Sequence, residues 1–225
     1  MPVWHAPYTR PLAVSKRTHP KNMVKKIIIG ISIFLGLGLV AFIGWWVMLI
    51  SAFGGFDKDY SITDLKENFE ENKAAIYELK KYYREIVPDE YFVEIEFEND
   101  NTLGRFGIKD YNSNRPMFLE WDLEIKTERM DSILKPIGWT RETLKTLKVK
   151  LDNADCIQIE SGEPTKIGFK RSGMGMYSFN VFDKPIPDNL IEQYNDSCTF
   201  ILVNKRLALE YGGGAIGSQC FYNMN

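Results

Sequence analysis

Histidine is almost absent from this chain. Only His5 and His19 occur among its 225 residues, so everything beyond residue 19 lacks an imidazole. That excludes a Ser-His-Asp triad, a Cys-His pair and any histidine-bearing zinc site within one chain from that stretch. Cysteine is scarce too. Cys156, Cys198 and Cys220 show no CxxC spacing, which argues against a thiolate zinc centre. Acid is missing from the first 26 residues, which carry Arg10, Lys16, Arg17, Lys21, Lys25 and Lys26. Charge of either sign is missing from residues 27–56, "IIIGISIFLGLGLVAFIGWWVMLISAFGGF".

The uncharged run is the strongest positive signal. At about 1.5 Å per residue a helix over 27–53 is roughly 40 Å long, enough to cross a hydrocarbon core of about 30 Å with some tilt. Trp45 and Trp46 suit an aromatic belt at the far interface. Basic flanks stay cytoplasmic, so residues 1–26 are expected as a basic, disordered cytoplasmic tail, 27–53 as an anchor in membrane lipid, and the rest outside, in a periplasm or at the cell exterior. A cleaved signal peptide is the rival, with Ala52 before a cut. Its apolar part would be about twice the usual 7–15 residues, so the uncleaved anchor is preferred.

Without its six N-terminal bases the chain keeps 22 basic against 30 acidic residues, a net charge of −8. An acidic domain repels phosphate backbones, and no nucleic acid is expected as a partner. Residues 54–60 read as a hinge and 61–225 as one extracytoplasmic domain. In an oxidising compartment Cys198 and Cys220, flanking the last expected hairpin, are the better candidates for a disulfide; three reduced thiols are the alternative.

The fold class expected is α+β, a long helix and a second helix on one side of a mostly antiparallel sheet. Ser61 and Asp64 read as a capping box, and Pro88 stops the first helix. Ile62, Leu65, Phe69, Ile76, Leu79, Tyr83 and Ile86 form a seam broken only by Asn72. Such a seam serves either a homodimer through Ile62–Ile86 or, preferably, packing lengthwise on the chain's own sheet. "YFVEIEFEN" and "FLEWDLEI" alternate apolar and acidic residues, reading as strands with one packed and one wet face. Leu144, Leu147 and Leu151 place the second helix over 140–153. "CIQIE", "TKIGFK", "MYSFNVF", "TFILVN" and "RLALEY" follow as strands, with "VNKR" as a hairpin turn.

Catalytic candidates are few. Glu94, Glu96, Glu120 and Asp122 offer neighbouring carboxylates for acid–base hydrolysis, although solvation alone selects such acids on a polar strand face. "EYGGGAIGSQCF" has no lysine after its glycines and too few following residues for a phosphate-binding helix. Gly212, Gly213 and Gly214 therefore read as a turn or a binding rim. "RSGMGMYSF" is a second glycine-bearing turn, where Arg171, Met174, Met176 and Tyr177 either adapt to a partner or cap a core edge. No cofactor, metal or catalytic residue is assigned.

Through "RSGMGMYSF" and "EYGGGAIGSQCF" the chain resembles bacterial envelope-associated single-pass membrane proteins, over about residues 139–221. The resemblance implies a common domain type holding both glycine turns, and no activity. The expected function is a membrane-anchored binding module for a protein partner. The alternatives are an immunity-type protein capturing a toxin at the envelope and a carboxylate-dependent hydrolase.

Overall fold

The computed structural model describes residues 20–52, 54–213 and 217–221. The chain divides into two compact units, 1–50 and 51–225. The first is dominated by helix α1, Pro20–Ala52. Within it Met23–Ser51 is long and apolar enough to cross a membrane, and none of its most apolar stretch is buried by protein. An apolar helix left uncovered is suited to lipid rather than to a folded core.

The second unit begins with helix α2, Ile62–Ile86. Ser61 caps it by accepting the Asp64 N–H at 3.1 Å, while the Asp64 carboxylate accepts the Ser61 N–H at 2.7 Å. Leu65, Phe69, Ile76, Leu79 and Tyr83 are all buried, contributing on the order of 10 kcal/mol of apolar transfer before entropy is counted. The seam is thus spent on the chain's own core. Zipping Ile62–Ile86 to a second copy would first require lifting it from there. Asn72 tolerates the missing step because its side-chain amide donates to the Asn68 carbonyl at 3.1 Å.

Eight strands form one sheet among the described residues: β1 Tyr91–Phe97, β2 Thr102–Asp110, β3 Phe118–Glu124, β4 Gln158–Glu160, β5 Thr165–Ser172, β6 Gly175–Val181, β7 Phe200–Asn204 and β8 Leu207–Gly212. Their order is β3-β2-β1-β4-β5-β6-β8-β7, and every pairing is antiparallel. Among the described residues three α-helices, α2, α3 Glu128–Leu134 and α4 Arg141–Asn153, and two short 3-10 turns complete the unit. An apolar row Phe106–Ile95–Ile159–Ile167–Phe179–Leu209 runs across six strands in register. It belongs to one buried core with the α2 seam and with Leu144, Leu147 and Leu151 of α4. The α+β class follows from helices packed in this core against an antiparallel sheet.

Two elements depart from the sequence reading. Strand β2 went unrecognised because its period of two is interrupted. The β1–β2 register slips between Glu96 and Phe97, at Gly104, and Asp122 on β3, between the pairs Leu103–Leu123 and Arg105–Trp121, has a left-handed φ of 54°. This matched irregularity turns Leu119 and Trp121 away from the core, whereas Leu123 and Ile125 stay in it. The expected single apolar face of "FLEWDLEI" is therefore split in two. Helix α3 was missed because it is only two turns long, capped by Thr127 accepting from the Met130 N–H.

Residues 54–60, expected as a hinge, are held in place. The Asp57 carboxylate accepts the Gly173 N–H at 2.8 Å and Asp59 accepts from the Ser172 hydroxyl at 2.7 Å. Tyr60 packs edge-on against Phe169 and Tyr177.

Candidate functional site

The sheet face opposite the core was expected to be wet, and near its centre it is dry. Glu94 and Glu96 are buried, as are Gln158, Ser178 and Asn180. Register explains the grouping: Arg105–Glu96–Gln158–Gly168–Ser178–Glu210 and Gly107–Glu94–Glu160–Lys166–Asn180 form two polar rows across the strands. Buried charge persists only when paired. Glu96 meets Arg171 in a two-pronged ion pair at 2.5 Å, and Glu94 meets Arg105 at 2.8 Å. Lys166 meets Glu210 at 2.6 Å, with Asn180 donating to the same carboxylate at 2.9 Å. Two glycines give these side chains room. A Cβ on Gly107 would strike Met117 and the Glu94 side chain, and one on Gly168 would strike Gln158 and crowd Met176.

Burial shifts the titration of two of these acids. It pushes the Glu94 carboxyl above its ordinary range, with Arg105 opposing. It raises Glu160 likewise against the pull of Lys166. For Arg171 the hydrogen-bonded Glu96 carboxylate favours the charged form and raises its already high pKa.

At one end of this polar face lies a cavity of about 1030 Å³. Glu96, Arg105 and Arg171 form its charged floor, Phe97, Leu119, Ile157 and Met174 its apolar walls, and Trp121 with Glu98 and Asp122 its rim. Trp121 is 59% exposed, and tryptophan is a residue type enriched at contact surfaces. The arrangement, a mostly apolar hollow with a few convergent charges, is that of a binding groove. Among the described residues no three His, Cys, Asp or Glu side chains converge as a metal site.

No protein family, no curated protein and no solved structure matches the chain.

The residues nominated from sequence fall in different places. Arg171 and Met174 line the groove. Met176 is buried beside Gly168. Tyr177 faces the opposite way, fully buried and stacked on Tyr211 at 4.1 Å between ring centres. It supports the turn from the core and offers no contact surface. Gly212 and Gly213 have φ of 137° and 99°, and a Cβ on Gly212 would meet the Gly217 carbonyl at 2.7 Å. There the chain doubles back: Gly213 donates to Gly217 and Gln219 to Tyr211. Gly214 lies outside the described residues. Cys198 and Cys220 are joined in a disulfide, which holds this return beside β7, while Cys156 is a buried free thiol.

Of the four carboxylates weighed for hydrolysis, Glu94 does not line the groove and Glu96 is held by Arg171. Glu120 pairs with Arg129 beyond the strand edge, and Asp122 is exposed on the rim. Sequence reasoning missed Arg105 and Trp121, the groove's other floor charge and its exposed ring. Their signal was hidden by the same irregularity that concealed β2.

Proposed function

We propose that this chain is a single-pass membrane protein whose extracytoplasmic domain binds a protein partner in the Trp121–Arg171 groove. The observation that carries the reading is the groove itself: an exposed indole and a methionine lining a hollow whose floor charges are already paired. Paired floor charges favour an amphipathic partner surface over a small free ion, because an isolated ion would have to displace Glu96 or Arg171. Basic residues before α1 and acidic ones after it support the orientation with the N-terminus inside.

The test is photo-crosslinking in cells of the full-length protein, with a benzophenone side chain at Trp121 and, as control, at Val149, which is exposed on α4. One adduct of defined mass formed from position 121 and absent from position 149 is expected. Equal crosslinking from both positions, or none from 121, overturns the groove as the binding site. An adduct that proves to be a secreted toxin would select the immunity-type reading.

A further inference from the structure

The two ends of the sheet are finished differently. On β7, the outer N–H groups are satisfied within the chain: Phe200 donates to the Asp196 carboxylate at 2.8 Å and Leu202 to the Asn195 side chain at 3.2 Å. On β3, the strand at the other end, the Thr127 hydroxyl donates to the Glu124 carbonyl at 2.9 Å, and no other described backbone group of Phe118–Glu124 pairs on the outer side. Unpaired edges are normally blunted, because they template the pairing of another strand. Concavities flank this one: the groove at Leu119 and Trp121, a hollow of about 660 Å³ at Phe118, and another of about 550 Å³ along Leu119–Glu124 itself.

The geometry points to β3 as a docking edge that takes an extended, basic segment of a partner protein as a ninth strand. This rests on the groove being the binding site and names its occupant. Charge decides the occupant. The strand reads "FLEWDLE"; Glu120 is neutralised by Arg129, but Asp122 and Glu124 are exposed with no ion pair among the described residues, and Glu98 adds another acid at the rim. A second copy of this chain fits poorly. Self-pairing centred on Trp121 sets Glu120 against Asp122, and self-pairing centred on Asp122 sets Glu120 against Glu124. A strand carrying lysine or arginine answers the same acids, while its main chain supplies the affinity common to strand addition. Its apolar side chains meet Trp121 and Leu119.

The test uses the full-length protein in nanodiscs of uncharged lipid and capped eight-residue peptides, with empty nanodiscs as control. An alternating Lys/Val peptide is compared with alternating Glu/Val. Two N-methylated forms of the basic peptide are included, one blocked at odd and one at even residues. The Lys/Val peptide is expected to bind, more weakly as salt rises, and the Glu/Val peptide is not. One N-methylated form should keep its affinity and the other lose about tenfold or more, since only one row of amides faces β3. The Asp122→Asn/Glu124→Gln variant should weaken the basic peptide by a factor of about 2 to 10, the range for rim charges. Both N-methylated peptides binding like the parent would show that no strand is added. Affinity unchanged in the variant would place the peptide elsewhere. Either outcome overturns the docking edge. Absence of peptide binding alongside persistent crosslinking from position 121 overturns it too, and leaves the groove standing as a site for a folded surface.

Discussion

Replacing Arg171 by methionine tests the reasoning about the polar face most directly. The Glu96 side chain is 7% exposed, whereas that of Arg171 is 38% exposed. Breaking a fully buried ion pair costs about 3–5 kcal/mol and breaking an exposed one about 0–1 kcal/mol, so a pair with one end in water falls between. The asymmetry predicts different costs for the two halves. Arg171→Met leaves a buried carboxylate without its cation and should cost about 2–3 kcal/mol. Glu96→Leu leaves a guanidinium that water already reaches, and should cost about 1 kcal/mol. The double variant Glu96→Leu/Arg171→Met removes both charges and should recover most of the larger loss, giving a coupling of about 2 kcal/mol. Arg105, opposite Glu96 across β1 and β2, cannot take over without abandoning Glu94. Urea unfolding of the four proteins in one detergent, followed by circular dichroism, measures the cycle. Equal single losses that simply add in the double variant would refute the account, because the pair would then be ordinary surface charge.

Glu160→Gln probes a half-buried acid on the same face. Its folded pKa is raised by burial, so the native state holds the proton more tightly than the unfolded chain. The unfavourable contribution is absent below the ordinary carboxylate range and grows as pH rises through the folded value. The variant should therefore be as stable as the parent near pH 4 and more stable at pH 7; the reverse order in unfolding midpoints would mean that Lys166 outweighs burial. Cys156 is pushed up to about 12 by burial, so a maleimide at pH 7.5 should leave it unmodified in the native protein and label it after denaturation. Opening the Cys198–Cys220 bridge, whose residues are 22 apart, by Cys198→Ser/Cys220→Ser should cost about 3 kcal/mol on the loop-entropy estimate. A thermal midpoint unchanged by that substitution would show the return segment to be held by its main-chain hydrogen bonds to Tyr211 and within the turn, without the bridge.

How much was legible in the sequence depended on whether a local rule ran uninterrupted. The α2 seam, its Ser61–Asp64 cap, the apolar span before it and the strands after α4 follow unbroken periods, and they appear where those periods put them. The buried floor of the groove was not legible. Glu94 and Glu96 alternate with valine, isoleucine and phenylalanine as solvent-facing acids do. What buries them is Arg105 and Arg171, brought from β2 and β5 by register, with Met117 lying over the glycine at position 107. Period-two patterning carries no information about partners that distant. Tyr177 was misplaced for a related reason: beside Met176 in sequence, it points to the other face of the sheet. Arg171 and Met174 were nominated for their chemistry and do line the groove, but Arg171 is as much a structural counter-charge as a contact.

The unequal ends of the sheet also bear on how this protein behaves when crowded. On the proposed reading as a single-pass membrane protein, many copies would share one surface at high local concentration, where stacking edge on edge is the usual hazard for sheet proteins. A continuous stack needs two open edges on every subunit, one to receive and one to offer. Among the described residues this domain has only one, because Asn195 and Asp196 cap the other. Edge contacts between copies therefore stop at pairs, and even a pair brings like charges together. On that reading the domain can stand densely on a membrane and keep its one open edge free, without seeding a fibre.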